Sequence, residues 1–199
     1  MLLYDSPVSG NCYKVRLLLA HLGVDVERRE VDVVDRSNRR ELLGDLNPAL
    51  RVPTLVLDDG RPLAESNAIL WYFGERTRFV PEDRYRRGQV LQWLFWEQYE
   101  HEPALAVARF LKSYGGRPEL WEARRAELTK QGLRVLGTME AHLGEREWLV
   151  GDSMTLADLA LYAYTHVADE GGFSLGAYPA IVAWLERVAA QPGHVPIEA

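Results

Sequence analysis

The spacing of apolar positions predicts a strand and then a helix at the start of the chain. A short apolar strand opens the chain and breaks at Ser6-Pro7. The helix that follows repeats its apolar residues at intervals of three and four, which indicates one buried face. Those residues are Cys12, Val15, Leu18, Leu19 and Leu22. Gly23 is a stop signal for this helix, and the next apolar positions predict a second strand through Val31 and Val33.

The next stretch of sequence combines short strands with polar helices. The predicted elements are a helix over 37–46, a strand over 51–57, a hairpin turn over 58–61, a return strand over 62–64 and a helix that begins at 65–67. The first of these helices ends before Pro48, because the residue before a proline is pushed out of the helical region. Asp59-Gly60 supplies the backbone angles that the hairpin turn needs. The order is therefore strand, helix, strand, helix, hairpin, helix.

The character of the chain changes after a polar break that contains a proline. Beyond it no segment alternates with a period of two, and four helices are predicted, over about 85–114, 118–143, 155–167 and 179–190. We therefore expect an α/β domain over residues 1–77, a linker over 78–84 and an all-helical domain over 85–199.

One local signal in the helical region is a capping box. Thr155 can cap a helix, and Asp158, three residues later, can reach back to the main-chain N–H of the cap. Asp158 lies in an otherwise apolar run, where a carboxylate needs hydrogen bonds. We interpret Asp158 as a buried structural cap, with a catalytic role as the alternative.

Composition narrows the classes of function. The chain has 199 residues and a formal charge of -6, which argues against a nucleic-acid partner. No apolar run reaches the length of a membrane span and no secretory signal is apparent, so we expect a cytoplasmic protein with no membrane partner. Cys12 is the single cysteine, which excludes an internal disulfide. His101 and His166 have no partner at metal-ligand spacing, and no metal is predicted.

The turn before the first helix is the main candidate for chemistry. Ser9, Gly10 and Asn11 lie at a helix start, where main-chain N–H groups lack partners and the local potential favours anions. Ser9 and Asn11 add side-chain donors. We interpret this turn as a site for a thiolate that belongs to a ligand. Cys12 falls on the apolar face of the helix and is interpreted as a core residue.

Three motifs, in order along the chain, resemble the glutathione transferase superfamily, in particular bacterial theta-, phi- or nu-like members of the serine or asparagine type. They are Ser9-Gly10-Asn11-Cys12-Tyr13-Lys14-Val15-Arg16, Asn47-Pro48-Ala49-Leu50-Arg51-Val52-Pro53-Thr54-Leu55 and Leu63-Ala64-Glu65-Ser66-Asn67-Ala68-Ile69. The resemblance implies an α/β thioredoxin-like N-terminal domain (βαβαββα, with cis-Pro53), an all-α helical C-terminal domain and a homodimer. It also implies glutathione as co-substrate.

The resemblance assigns roles to the second and third motifs. The main chain of Val52, before cis-Pro53, is expected to pair with the extended backbone of glutathione, although a proline that only shapes an edge strand is the alternative. Ser66 is expected to bind the carboxylate of the γ-glutamyl group and Glu65 its ammonium, although Ser66 as a helix cap needs no ligand. Arg51 is expected near the glycyl carboxylate. Arg39 and Arg40 are further candidates for that contact.

The first motif holds the catalytic candidates. A serine like Ser9 donates to the glutathione sulfur in theta- and phi-like members, and a residue like Asn11 does so in nu-type members. On the fourth helix Trp93, Trp96 and Tyr99 are spaced by three and are expected to share one face. An aromatic stripe of this kind is more often core. The resemblance implies, as the alternative, that this helix borders the electrophile pocket. The candidates for lining that pocket are Tyr99, Glu100 and Phe110.

We therefore expect a glutathione S-transferase, an enzyme that stabilises the glutathione thiolate for attack on a small electrophile. One alternative is a glutathione-dependent disulfide reductase or peroxidase that uses no protein cysteine. Another is a non-catalytic binding module with the same fold.

Overall fold

The computed structural model describes all residues from Met1 to Ala199 and divides them into two compact units. The first unit comprises Met1–Thr77 together with Pro192–Ala199, and the second comprises Arg78–Gln191. The sequence-based boundary placed residues 192–199 in the helical domain, and the structure corrects it. These residues pack against the first helix, where the hydroxyl of Tyr13 donates to the carbonyl of Val195 at 2.7 Å.

The first unit has the predicted order of elements, and the expected fold class is confirmed. The elements are β1 (Leu2–Asp5), α1 (Gly10–Leu22), β2 (Glu27–Glu30), α2 (Arg39–Leu43), β3 (Thr54–Val56), β4 (Pro62–Ala64) and α3 (Ser66–Gly74). The strands form one sheet in the order β2-β1-β3-β4. β1 runs parallel to β2, whereas β3 is antiparallel to both β1 and β4. The Val52–Pro53 peptide bond is cis.

Side chains from the two faces of the sheet form separate apolar clusters, because successive residues of a strand point to opposite faces. On one face Leu3 and Leu55 pack with α1 and α3, which contribute buried residues such as Val15, Leu19 and Ile69. On the other face Tyr4 packs with Val31 and Leu43. The sheet and the helices that cover it fix the starts of α1 and α3.

Two elements of the first unit are shorter in the structure than the sequence predicts. β2 covers Glu27–Glu30 and is exposed throughout, whereas the predicted strand ran through Val31 and Val33. β2 is an edge strand whose register is set by main-chain pairing with β1, and charged side chains are typical of such edges. The helix predicted over 37–46 is shorter in the structure, where α2 covers Arg39–Leu43. Asn38 precedes it, and its Oδ1 accepts from the N–H of Asp32 at 3.1 Å.

The second unit is helical throughout, as expected. Its α-helices are α4 (Arg84–Trp96), α5 (Glu102–Arg109), α6 (Pro118–Leu143), α7 (Leu156–Thr165) and α8 (Pro179–Ala189). The single helix predicted over 85–114 is a continuous helical path with π-helical turns at Glu97–His101 and Phe110–Tyr114. None of these helices is both long enough and apolar enough to cross a bilayer.

The capping box at the start of α7 is confirmed. The Asp158 carboxylate accepts hydrogen bonds from the N–H of Thr155 at 2.8 Å and from the N–H of Leu149 at 3.0 Å. The indole N–H of Trp184 donates to it at 2.9 Å. Asp158 is fully buried, and these donors account for its carboxylate as a structural group.

Candidate active site at the start of the first helix

Ser9 caps α1 and stands at the mouth of the candidate site. Its backbone is extended, and its Oγ accepts a hydrogen bond from the N–H of Cys12 at 3.3 Å. Its own N–H donates to the carbonyl of Ser6 at 3.0 Å, which fixes the turn. A serine hydroxyl that accepts in this way still has one hydrogen to donate. Ser9 therefore presents a donor at the positive end of the α1 dipole.

Asn11 and Ser66, which the sequence placed in different motifs, are in direct contact. The Ser66 hydroxyl donates to Oδ1 of Asn11 at 3.2 Å. The contact joins the first turn of α1 to the first turn of α3 and brings together the predicted thiolate donor and the predicted carboxylate-binding residue. Asn11 is half-buried, and Ser66 is 5 % exposed.

Lys14 is a member of this site that sequence reasoning missed. Its side chain is completely buried, and Nζ donates to Oγ of Ser66 at 3.4 Å. The available signal was its place in α1, three residues after Asn11, in a helix that is otherwise largely apolar at this point. Because a buried ammonium requires hydrogen bonds or a counter-charge, its position next to the candidate site is informative.

Glu65 enters α3 in an unusual conformation. Its φ of 70° lies in the left-handed region, which residues with a Cβ rarely adopt. The side chain is exposed, and the following residue, Ser66, begins the helix. Such conformations concentrate at binding sites, where the surrounding structure holds them in place.

The loop before β3 is held by Asn47, which is buried. Its side-chain amide donates to the carbonyl of Arg51 at 3.0 Å and to Oγ1 of Thr54 at 2.9 Å. The Thr54 hydroxyl donates to the same carbonyl at 2.8 Å. The N–H and C=O of Val52 make no hydrogen bond within the chain. The loop therefore presents the main chain of Val52 next to Pro53, which is buried.

The three arginine candidates differ in what they contact. Arg39 donates to the carbonyls of Asp32 and Val33 and, at 3.3 Å, to the carbonyl of Leu50, so its guanidinium ties two loops together. Partial burial lowers its pKa from the usual range of arginine. Arg40 and Arg51 are exposed. They are therefore the arginines that present a cation to solvent near this loop.

Cys12 is fully buried, in agreement with its interpretation as a core residue. Burial raises the pKa of the Cys12 thiol from an ordinary value of 9.0 to about 12, and the nearby carboxylate of Asp5 adds to this shift. A thiol with this pKa remains protonated at neutral pH, and the thiolate is the reactive form of cysteine. The chain itself therefore offers no thiolate at this site.

Arg16 stabilises the turn that precedes Ser9, a role that the sequence analysis did not predict. It forms a buried ion pair with Asp5, with Nη1 and Oδ1 2.6 Å apart. The same guanidinium donates to the carbonyls of Ser6 at 3.4 Å and Pro7 at 3.3 Å. These bonds hold the segment that immediately precedes Ser9. A multidentate guanidinium suits this task because its donors have a fixed geometry.

Trp93 and Trp96 pack on each other, as expected for a shared face, but the prediction was wrong for Tyr99, which lies in the π-helical turn Glu97–His101. Trp93 is buried and packs edge-to-face on Trp96 with ring centroids 5.2 Å apart, whereas Tyr99 is 82 % exposed. A spacing of three residues falls short of a helical turn, so the face rotates by about 60° at each step. Of the other candidates for lining the electrophile pocket, Glu100 pairs with Arg134 and Phe110 is half-buried.

The structure contains no group of three or more His, Cys, Asp or Glu side chains that could hold a metal ion. The candidate site combines hydrogen-bond donors at two helix starts, a presented main chain and nearby side-chain charges. This set can bind and orient an anionic peptide-like ligand.

A mixed four-stranded sheet with a cis-proline loop, followed by an all-helical unit, is the architecture of the two-domain thioredoxin-like class. The family model for the glutathione S-transferase N-terminal domain matches residues 8–76, and the model for the C-terminal domain of the same family matches residues 104–192. The chain belongs to the glutathione S-transferase family.

Solved structures and curated relatives agree with this assignment. A glutathione S-transferase from Pseudomonas fluorescens is 46% identical, with a TM-score of 0.95 over 100% of this chain and 98% of that chain. Ure2p in complex with glutathione is 25% identical, with a TM-score of 0.85 over 96% of this chain and 95% of that chain. The disulfide-bond oxidoreductase YfcG of Escherichia coli is 27% identical over 96% of this chain and 90% of its own length.

Proposed function

We propose that this protein is a glutathione transferase that holds glutathione as a thiolate and directs it at a small electrophile. The observation that carries the proposal is the contact between Asn11 and Ser66 at 3.2 Å. It joins the donors expected at the sulfur to the residues expected at the γ-glutamyl group. The glutathione complex of Ure2p supports the choice of ligand.

In this proposal Ser9 and Asn11 are the catalytic residues. A free thiol has a pKa of about 8.5, so only a few per cent is ionised at neutral pH. Each unit of lowering requires about 1.4 kcal/mol of preference for the anion. Hydrogen bonds from Ser9 and Asn11, together with the α1 dipole, can supply about two units. Neither residue needs to ionise, since each only donates a hydrogen bond.

The remaining site residues position the ligand. The main chain of Val52, beside Pro53, pairs with the cysteinyl backbone of glutathione, as a neighbouring strand would. Ser66, at the start of α3, binds the γ-glutamyl carboxylate, and Glu65 accepts from the γ-glutamyl ammonium. Arg51 is the first candidate for the glycyl carboxylate because it is exposed, whereas the Arg39 guanidinium is occupied by main-chain carbonyls.

A second candidate function is glutathione-dependent reduction of disulfides. It is favoured by the similarity to a disulfide-bond oxidoreductase, and the complete burial of Cys12 is compatible with a form of this reaction that uses no protein thiol. In that reaction the bound glutathione thiolate attacks one sulfur of a disulfide, and the other sulfur leaves as a thiolate. The first step leaves a mixed disulfide between glutathione and the remaining half of the substrate. The thiolate of a second glutathione attacks the glutathione sulfur of that mixed disulfide, so that oxidised glutathione forms and the remaining substrate sulfur leaves as a thiolate. No protein thiol takes part. A purely non-catalytic role is less well supported, because such a module does not need the presented main chain of Val52.

The test measures the pKa of the glutathione thiol bound to the protein, from the ultraviolet absorbance of the thiolate as a function of pH. Ser9→Ala and Asn11→Ala should each raise that pKa by about one unit, the effect of one charge-assisted hydrogen bond. Ser37→Ala is the matched control, since Ser37 is an exposed loop serine. An unchanged thiol pKa in the double variant Ser9→Ala/Asn11→Ala would overturn the assignment of these donors.

A second experiment separates the two reactions. Wild type and Cys12→Ala are assayed with an activated aromatic halide and with a small mixed disulfide, each in the presence of glutathione. Conjugation without disulfide reduction supports the first proposal, and the reverse supports the second. Whichever of the two activities the wild type shows should survive in Cys12→Ala, and loss of disulfide reduction in that variant would show that the protein thiol participates.

A further inference from the structure

Two hydrogen bonds connect three polar side chains next to the candidate sulfur site. Nζ of Lys14 lies 3.4 Å from Oγ of Ser66, and that oxygen lies 3.2 Å from Oδ1 of Asn11. Lys14 is 0 % exposed and Ser66 is 5 % exposed, so bulk water does not compete strongly for these hydrogen bonds. We call this series of hydrogen-bonded side chains, Lys14–Ser66–Asn11, the relay. It connects Lys14 in α1, through Ser66 at the start of α3, to Asn11 in the first turn of α1.

The ammonium group of Lys14 determines the direction in which the hydrogen bonds of the relay are donated. An ammonium group can only donate, so Ser66 accepts from Lys14. The Ser66 hydroxyl has a single hydrogen, which it directs at Asn11. The carbonyl oxygen is the part of an asparagine side chain that accepts. The amide of Asn11 is therefore turned with Oδ1 toward Ser66, and its Nδ2 donors are directed away from Ser66.

We propose that Lys14 and Ser66 are positioning residues that set the orientation of the Asn11 amide, so that its N–H groups and not its oxygen meet the bound thiolate. The inference rests on the proposed function, in which Asn11 donates to the glutathione sulfur. An asparagine turned the other way places a carbonyl oxygen against the sulfur and repels the anion. The relay removes that arrangement at the cost of one hydroxyl hydrogen.

The relay changes the task of Ser66. Because its hydroxyl hydrogen is directed at Asn11, the γ-glutamyl carboxylate is met by the main-chain N–H of Ser66, which makes no hydrogen bond within the chain. Ser66→Ala should then affect the thiol more than the carboxylate. A serine whose hydroxyl binds the carboxylate directly has the opposite signature, and this difference makes the inference testable.

The experiment compares two ligands, glutathione and S-methylglutathione, which has no ionisable thiol. For each variant we measure the pKa of the bound glutathione thiol and the dissociation constants of both ligands by calorimetry. Ser66→Ala should raise the thiol pKa by about one unit, as Asn11→Ala does, and change the affinity for S-methylglutathione by less than about threefold. Ser66→Thr keeps the hydroxyl and should restore the wild-type pKa.

The double variant Asn11→Ala/Ser66→Ala decides whether the two residues act as one unit. A relay predicts that its pKa shift equals that of either single variant, whereas independent residues give the sum. Lys14→Met should shift the pKa in the same direction. Because a buried lysine is replaced there, its folding is checked by circular dichroism, and the Ser66 variants keep the inference testable if it fails to fold.

The outcomes that overturn the relay differ from those that overturn the proposed function. If Ser66→Ala weakens both ligands and leaves the thiol pKa unchanged, or if the double variant is additive, the relay is wrong and Asn11 can still be a donor. If neither Asn11→Ala nor Ser9→Ala moves the thiol pKa, the proposed function fails at its sulfur site, whatever Ser66 does.

Discussion

Ser9 and Cys12 are three positions apart, yet their surroundings give them opposite chemistry. Ser9 lies outside the first turn, half-buried, and its Oγ accepts from the N–H of Cys12. The side chain of Cys12 lies in the core, where its thiolate would be poorly solvated. The start of α1 therefore favours an anion at its accessible end, next to Ser9, whereas the buried thiol of Cys12 stays neutral. The thiol that reacts in the proposed mechanism belongs to the ligand.

The Cys12 thiol should be inert in the folded protein. Its pKa is raised from 9.0 to about 12, so the folded state keeps this proton at pH values where the unfolded chain loses it. The corresponding contribution to stability is present below pH 9.0 and is lost as the pH rises toward about 12. A disulfide reagent should label Cys12 slowly in buffer and fast in urea. Between pH 9 and 11 the stability of wild type should fall more steeply than that of Cys12→Ala.

Rapid labelling in buffer, or equal slopes in the two proteins, would contradict this account of Cys12. Comparing slopes rather than absolute stabilities removes the cost of the cavity that Cys12→Ala leaves. It also removes the titration of tyrosines and lysines, because these groups are common to both proteins.

At the level of elements, α1 is held in place by the end of the chain. Arg16 donates to the carbonyl of Ile197 at 2.5 Å while it also binds the turn before Ser9. His21 lies 2.8 Å from the carbonyl of Pro192. Gly193 has a φ of 86°, and a Cβ there would lie 3.1 Å from Cα of His21, so only glycine fits easily. The segment 192–199 thus supports the helix that carries the candidate site.

The substitution Ile197→Ala should destabilise the first unit. Its side chain is 6 % exposed, and an Ile→Ala change in a core costs about 2–5 kcal/mol, so we expect about 2 kcal/mol for a segment near the end of the chain. Glu198→Ala is the matched control, because Glu198 is exposed and should change stability by less than about 0.5 kcal/mol. Urea unfolding and amide exchange of α1 measure the effect. Equal stability of the two variants would mean that the segment does not support α1.

Elements with local signals could be predicted, and contacts between distant residues could not. α6 and α8 each begin at a proline and keep their apolar period, so their bounds follow closely from the sequence. The bounds of β2 could not be predicted, because they are set by pairing with β1 and not by its own charged residues.

The same distinction applies to the candidate site. Ser9 and Asn11 could be predicted as site residues because they lie at the predicted start of α1, and Ser66 because it lies at the predicted start of α3. The place of Lys14 in α1 is a local signal, but lysine is usually a surface residue, and no local pattern shows that Lys14 contacts Ser66, 52 positions away. The contact of Arg16 with Ile197 spans 181 positions and is equally invisible to a local pattern. The sequence therefore predicts the residues that face the ligand better than those that hold them.

At the scale of the whole molecule, the helical unit exposes large aromatic side chains. Phe95 is 71 % exposed and Tyr99 is 82 % exposed, and they are four positions apart along the path from α4 into the π-helical turn. Residues at this spacing are neighbours on a helix surface. Clustered exposed aromatic residues are typical of protein–protein interfaces. In the homodimer that the family resemblance implies, we expect these two side chains to lie in the interface.

We therefore predict a homodimer that depends on this aromatic pair. Sedimentation should give a mass near twice the chain mass of 22.6 kDa. Phe95→Glu and Tyr99→Glu should each weaken the dimer by about tenfold or more, since burying a large aromatic side chain is worth about 1.5–3 kcal/mol. Val182→Glu, at a partly exposed apolar position on α8, is the matched control and should leave the mass unchanged. A dimer of unchanged affinity in both aromatic variants would place the interface elsewhere, whereas a monomeric wild type would contradict the dimer itself.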